Sequence, residues 1–484
     1  MRVCLATPPF YSPVPDEPLS LPLGPAYLGA ALLAAGVEVR IIDGALETVT
    51  RLSANRYLYG LSPDRLAQAI LQTQPDLIGL SCPFTTRYSL FRQTVQSLRQ
   101  VAPKIPIIAG GIHPTLFPQQ VLEQDGVDMV VIGEGEKTLA ELIRRYGELN
   151  RLEAEGLDGV VWLSDDRTTV VPKRNYVQNL DELPLPALEL MPVERYLARS
   201  GGRWASRRLR SLPLLTSRAC PGRCSFCSSR AVQGPIWRAH SAERVLLEIE
   251  RLVKDYHPAL IAFEDDRLTW QRERLMAICK GIVERRPAVR WHTPNGVHVA
   301  DLDEELLIWM KKSGCASLNL AIESGDDYIL HKVIGKKATR RQALDAAAAC
   351  RRLGIAANGY FVVGMPGETE QSLLNTYDLC MELQLDGLGV FIATPFPGTR
   401  LFADCVKKGY IEPNSVFDKI ASADDTALLN SALFETPTLK AERLIWWKQK
   451  IERDFIRQLY RRKPALKWKR AAANLARKLR VWYD

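Results

Sequence analysis

Three cysteines carry the densest chemistry in the chain, in the run Cys220-Pro-Gly-Arg-Cys224-Ser-Phe-Cys227. Thiolates are the common protein ligands of iron–sulfur clusters. This spacing lets one loop supply three corners of a 4Fe–4S cube, leaving the fourth iron open to a substrate. Structural zinc takes four ligands. The next histidine, His240, stands thirteen residues beyond Cys227, so zinc is the minor reading.

The other seven of the ten cysteines (Cys4, Cys82, Cys279, Cys315, Cys350, Cys380 and Cys405) are scattered at apolar positions. They read as small buried hydrophobes, and they are too sparse for a disulfide scaffold. The first residues lack the charged-then-apolar pattern of a signal peptide. The uncharged stretch Pro18–Val37 is interrupted by Pro22, Gly24, Pro25 and Gly29, which favours a loop and a short buried helix over a membrane span. A cytoplasmic protein is expected.

Elements must position that loop. Over residues 1–150, apolar runs at Val3–Ala6, Val37–Ile42, Leu77–Ser81, Ile105–Ala109 and Met129–Ile132 read as buried strands. Helical patterns at Ala26–Ala35, Pro63–Leu71, Tyr88–Val101 and Pro118–Gln124 separate most of them. That alternation predicts a doubly wound parallel sheet with its ligand at the strand carboxyl ends. Residues 151–210, with Pro184, Pro186, Pro192 and a basic stretch Arg203–Arg210, read as a linker. Over residues 211–400, strands are expected at Leu212–Ser217, Leu260–Glu264, Val289–Thr293, Ser317–Ile322, Ala357–Val363 and Gly387–Ala393. Helical stretches such as Ala242–Tyr256, Gln271–Arg285, Asp303–Ser313, Arg340–Leu353 and Gln371–Leu383 follow each strand but the last. The whole is an α/β chain: a Rossmann-like sheet, a partial (β/α)6 barrel, and a helical basic region over 401–484.

The motif with an aromatic before its last cysteine, after the first strand of such a barrel, resembles the radical S-adenosylmethionine superfamily. Phe263-Glu264-Asp265-Asp266, Asn295-Gly296, Glu323-Ser324-Gly325, Gly364-Met365-Pro366-Gly367-Glu368-Thr369 and Ala393-Thr394-Pro395-Phe396-Pro397-Gly398-Thr399 follow at successive strand ends. The resemblance implies that Cys220, Cys224 and Cys227 bind a 4Fe–4S cluster that cleaves S-adenosylmethionine reductively to a 5′-deoxyadenosyl radical. It implies electrons from a donor such as flavodoxin or ferredoxin. Glu323 and Ser324 are expected at the ribose or methionine amine, the Gly364, Pro366 and Gly367 loop at the adenine, and Phe226 on the adenine or over the cluster. Glu264 and Asp265 are expected near the same cofactor, the alternative being a solvated turn. No second cysteine cluster follows residue 400.

The first domain resembles the cobalamin-binding members of that superfamily, through Leu21-Pro22-Leu23-Gly24-Pro25-Ala26-Tyr27-Leu28, Ser81-Cys82-Pro83, Gly110-Gly111-Ile112-His113-Pro114 and Val131-Ile132-Gly133-Glu134-Gly135-Glu136. Ser81, Gly110, Gly111, Gly133 and Glu134 are thus expected to hold cobalamin, the glycines leaving room for its nucleotide tail. The Asp-x-His-x-x-Gly ligand motif is absent. His113 is expected to cap or pack rather than coordinate.

The implied activity is methylation of an unactivated carbon or phosphorus in a small-molecule or lipid-like substrate. An oxidative, ring-forming cyclase of the anaerobic tetrapyrrole type is the alternative, and a non-catalytic iron–sulfur electron carrier or sensor is the reading from another class. No residue stands out as a catalytic acid or base.

Residues 440–484 hold fifteen Lys and Arg against four Asp and Glu, within a chain of net charge +9, so the body is near neutral. That distribution argues against a nucleic-acid groove. Trp468, Ala472, Leu475, Leu479 and Trp482 share a helical face. A helix on the anionic inner face of a membrane and a helix packed on the barrel fit this pattern equally.

Overall fold

The computed structural model describes residues 1–54, 56–164, 167–200, 209–287, 289–422, 428 and 431–466. The membrane-helix face at Trp468–Trp482 and most of the basic stretch Arg203–Arg210 lie outside these residues.

The first sheet has seven strands. Arg2–Thr7 pairs in parallel with Glu38–Asp43 on one side and Leu77–Ser81 on the other, followed by Ile107–Gly110 and Met129–Val131. Chain order therefore reverses between Arg2–Thr7 and Leu77–Ser81, the place where open α/β sheets bind ligands. The central strands are apolar on both faces because helices cover both. Leu23–Ala34 and Glu136–Leu149 lie on one side, Pro63–Gln72 and Tyr88–Val101 on the other. Local chemistry starts these helices: the Ser62 hydroxyl accepts from the Arg65 amide just before Pro63, as N-cap and first-turn preferences require.

Two expectations need correction here. The segment read as a linker adds two antiparallel strands, Val160–Ser164 and Arg167–Val171, to the sheet edge, so the sheet is not purely parallel. The outer strand, Arg167–Val171, has no fully buried residue, which weakens its apolar signal. A small antiparallel sheet of Phe10–Ser12, Val49–Ser53 and Arg56–Tyr59 was also not expected.

The second sheet is an open parallel barrel of Ser211–Leu214, Leu260–Phe263, Arg290–His298, Cys315–Glu323, Ala356–Val363 and Gly387–Ile392, paired in that order. Its third strand runs through Asn295-Gly296, which were expected to follow it. The register shifts between Thr293 and Val297, where Pro294 withholds a ladder donor and Gly296 takes φ +98°. Helices Ala242–Tyr256 and Arg340–Leu353 match their expected bounds.

Helix Ala441–Arg462 buries Leu444, Trp447, Ile451 and Phe455 against the barrel. Its basic residues are largely engaged: Arg443 grips Glu370 at 2.6 Å, Trp447 Nε1 donates to Glu370 at 2.9 Å, and Lys448 donates to the Val390 carbonyl. This part of the basic region is a packing element. The seven scattered cysteines are all buried.

Candidate cofactor sites

The cysteine loop leaves the first barrel strand through Ser217–Arg218, which pairs with Arg238–Ala239. Ala219, buried and in the left-handed region at φ +66°, turns the chain into Cys220 and donates its N–H to Gln233. A non-glycine residue held there marks a turn the surroundings enforce. The Ser225 amide donates to Ile334 O at 2.8 Å, and its carbonyl accepts from Leu401 N at 2.8 Å. The loop is thereby fixed to the far side of the barrel.

Backbone amides point at two of the sulfurs. Gly222 N lies 3.4 Å from Cys220 Sγ, and Ser229 N lies 3.4 Å from Cys227 Sγ. Such N–H···S contacts stabilise charge on cluster thiolates. Among the described residues, no three His, Cys, Asp or Glu side chains converge on a single metal-ion position. Burial pushes the Cys224 thiol up to about 11 and the Cys227 thiol to about 12.

The acidic trio at the end of the second strand is not a solvated turn. Asp265 is buried and accepts from the Thr216 hydroxyl at 2.7 Å, the Thr216 amide and the Ser217 hydroxyl. Asp266 accepts from the Ser229 hydroxyl. These two carboxylates hold the chain on either side of the cysteines. Glu264 faces the barrel interior instead, and burial together with Asp265 pushes its carboxyl up to about 7.

Glu323 sits at φ +70° and accepts from the buried Lys336 Nζ at 2.8 Å. The Ser324 hydroxyl accepts from Asp326 N and meets Thr376 Oγ1 at 3.2 Å. Gly364 requires its positive φ of +89°, and Leu444 of the C-terminal helix lies 3.1 Å from where its Cβ would be. Beside Pro366 and Gly367 stands Glu368, which the sequence motif includes without a role of its own. It is fully buried and accepts from the Gly364 and Met365 amides, shaping the loop. Phe226 packs with Cys224 against the core formed by Ile329, Leu401 and Cys405.

Ser81, Gly110, Gly111, Gly133 and Glu134 line one cavity of about 240 Å³ at the carboxyl ends of the first sheet. Its walls are mainly apolar. A Cβ on Gly110 would meet its nearest heavy atom only at 3.7 Å, so the space there is one that a side chain would fill. Gly111, at φ +101°, would place a Cβ 2.6 Å from Cys82 O. The cavity therefore has room for a bulky group that presents an apolar ring, with Ser81 as a polar contact. His113 is not part of it. It is buried between Tyr88 and Phe117, with ring centroids 4.1 and 4.9 Å away, and burial lowers its pKa to about 3.

Leu215, Arg218, Val232 and Gln233 of the barrel line the same cavity. Buried charges hold the two domains together there. Arg218 bonds Glu136 at 2.6 Å and stands over the Tyr27 ring, while Arg238 Nη1 reaches Glu134 at 2.7 Å. Glu134 also accepts from Val177 N, so its carboxylate is engaged by the chain where it lines the cavity. Arg218 and Arg238 were missed, since lone arginines carry no spacing signal, and Glu136 stood in its motif without an assigned role.

The fold and site define an enzyme with a cofactor-binding sheet joined to a cysteine-loop barrel. Residues 18–143 match the B12 binding domain and residues 214–380 the Radical SAM superfamily. An uncharacterized methyltransferase of Pyrococcus horikoshii is 31% identical over 406 residues, covering 83% of this chain and 82% of the relative. The chain belongs to the family of cobalamin-binding radical S-adenosylmethionine enzymes. The family's cofactors are a 4Fe–4S cluster, S-adenosylmethionine and cobalamin, and its enzymes act on a substrate and need a reductant.

The cytidylyl-2-hydroxyethylphosphonate methyltransferase of Streptomyces wedmorensis is 27% identical, over 81% of this chain and 79% of the relative. The anaerobic magnesium-protoporphyrin IX monomethyl ester cyclase of Cereibacter sphaeroides is 27% identical, over 78% and 59%. The radical S-adenosylmethionine methyltransferase TsrM from Kitasatospora setae has the same fold, with a TM-score of 0.68 at 19% identity over 84% of this chain and 75% of that one. Among the described residues, no helix is long and apolar enough to cross a membrane.

Proposed function

We propose that this chain is a cobalamin-dependent radical methyltransferase in which Cys220, Cys224 and Cys227 hold the cluster and the Ser81–Gly110–Gly111–Gly133 cavity holds the cobalamin tail. Bound together, these groups supply a 5′-deoxyadenosyl radical and a transferable methyl group. One observation carries the reading: Arg218, two residues before Cys220, lines the same cavity as Gly110 and Gly111. The two cofactor loops are thus neighbours, as transfer between two cofactors across one substrate demands. The chain's own residues orient the groups and exclude water: Asp265 and Asp266 fix the cysteine loop, and Glu368 shapes the Gly364–Gly367 turn.

Anaerobic reconstitution with iron, sulfide and hydroxocobalamin, followed by turnover with S-adenosylmethionine and a low-potential reductant, tests this. A product 14 mass units heavier than its substrate supports methylation. An unsaturated or ring-closed product supports the second reading, an oxidative cyclase, which the similarity to the protoporphyrin ester cyclase favours. Protein that takes up cluster but never cobalamin overturns the first reading.

The electron donor in this proposal is a small flavodoxin- or ferredoxin-like protein. The basic charge of residues 440–484 supports a peripheral contact with anionic lipid. Flotation with anionic vesicles, lost on truncation before Pro464, is the expected result; equal flotation of both forms removes that contact.

A further inference from the structure

Parallel barrels normally fill their interior with layers of bulky branched side chains. Here several inward positions are small (Ser211, Pro213, Ala262, Ser317 and Ala356), and a cavity of about 520 Å³ remains inside. It extends along the third strand from Arg290 to Pro294, about 13 Å at the usual strand rise. Its upper end is at Glu264, beside the carboxylates that hold the cysteine loop. Its lower end opens among Arg290, Lys463 and Leu466, all exposed.

The wall carries polar groups at mid-height. Asn358 Nδ2 donates to Asn319 Oδ1 at 2.8 Å, and Asn319 Nδ2 donates to the Tyr360 hydroxyl at 2.6 Å. His292 lines the same space, and its ring has no hydrogen-bond partner among the described residues. A half-buried polar ring facing a cavity is expected to find its partner in whatever fills it. Among the described residues lining it, charged groups other than Glu264 at the top lie only around the lower mouth, where Lys463 is paired with Asp386. A charge carried into the middle would lose its hydration without gaining a counterion.

We propose that this lumen is a binding site for one arm of an elongated, uncharged substrate: an apolar chain bearing amide or hydroxyl groups. Its other end reaches the cysteine loop. What happens at that reacting end rests on the methyltransferase reading; the binding of the arm does not. His292, Asn319 and Asn358 meet the arm's polar groups, while Pro213, Leu260 and Ala262 meet its methylenes. The lower mouth lets a long arm pass out into solvent.

Decanamide, octanamide and decanoate serve as probes, titrated calorimetrically into full-length protein carrying cluster and cobalamin. Decanamide should bind about fifteenfold more tightly than octanamide, since each buried methylene contributes about fourfold. Decanoate should bind at least about tenfold more weakly than decanamide. Ser317→Leu and Ala356→Leu fill the lumen from different strands, and each should weaken decanamide by about tenfold or more. Cobalamin content and circular dichroism report whether each variant is folded. If both leucines disturb the fold, His292→Ala takes their place and should weaken decanamide by about tenfold. Decanoate binding as tightly as decanamide, undiminished binding in the folded variants, or no decanamide binding up to its solubility limit would overturn the assignment. Protein that takes up cluster but no cobalamin defeats the methyltransferase reading alone, because the same titrations run on that protein still decide the lumen.

Discussion

Arg218 and Glu136, 82 residues apart in sequence, bond at 2.6 Å with both side chains almost wholly buried. Glu136 opens the last helix of the cobalamin sheet, and Arg218 opens the cysteine loop. Burial alone would raise the Glu136 pKa, but the charge and hydrogen bond of Arg218 outweigh it and hold the carboxyl below its usual range. Removing one partner leaves a buried charge uncompensated, which costs about 3–5 kcal/mol. Arg218→Met should lose stability of that order in denaturant unfolding and also lower cobalamin occupancy. Adding Glu136→Gln should recover part of the loss. Additive effects of the two changes would mean that the pair does not couple.

The cysteine loop is fixed by Ser225, Asp265 and Asp266 rather than by its sulfurs alone. Cys224→Ala should therefore fold with near-normal circular dichroism yet lose the cluster's visible absorption and all 5′-deoxyadenosine formation. Asp266→Asn should keep the cluster while weakening the hold on Ser229. Deoxyadenosine released by the Cys224 variant would remove the cluster assignment.

Two adjacent glycines should respond differently. Gly111→Ala meets both a left-handed φ and the Cys82 carbonyl, costing at least about 1–3 kcal/mol in stability. Gly110→Leu projects into the cavity and should leave stability closer to wild type while cutting cobalamin uptake. Unfolding curves and cobalamin content of the two variants separate the effects.

Burial pushes the Glu368 carboxyl up to about 8, against the lowering effect of the Gly364 and Met365 amides. The folded chain then holds a proton that the unfolded chain has released between about pH 4.5 and 8. This group's contribution to stability is therefore greatest at low pH and declines as pH rises through that window, by up to a few kcal/mol. Glu368→Gln keeps an acceptor for both amides and removes the titration. Its stability relative to wild type should rise steadily from pH 5 to pH 8; a constant difference across that range would show that Glu368 does not titrate this way.

Sequence alone was enough for whatever depends on neighbours in the chain. The cysteine spacing is a property of one loop, and apolar runs separated by helical patterns gave both parallel sheets, because strands buried on two faces read as continuous hydrophobic segments. Ser81, Gly110, Gly111, Gly133 and Glu134 could be gathered because they stand at strand carboxyl ends that a parallel sheet places side by side. Strands Val160–Ser164 and Arg167–Val171 escaped notice because the outer one, Arg167–Val171, has no fully buried residue and so carries little apolar signal. The tertiary structure decided what each carboxylate does. Asp265 binds Thr216 and Ser217, Glu134 meets Arg238, and Glu136 meets Arg218, pairings between groups from 48 to 104 residues apart. A side chain's charge and hydrogen-bonding capacity are written in its type, but the partner that satisfies them in a dry interior is set by packing at a distance. The hollow barrel has the same origin: small residues on separate strands leave a cavity only when folding turns them toward one axis.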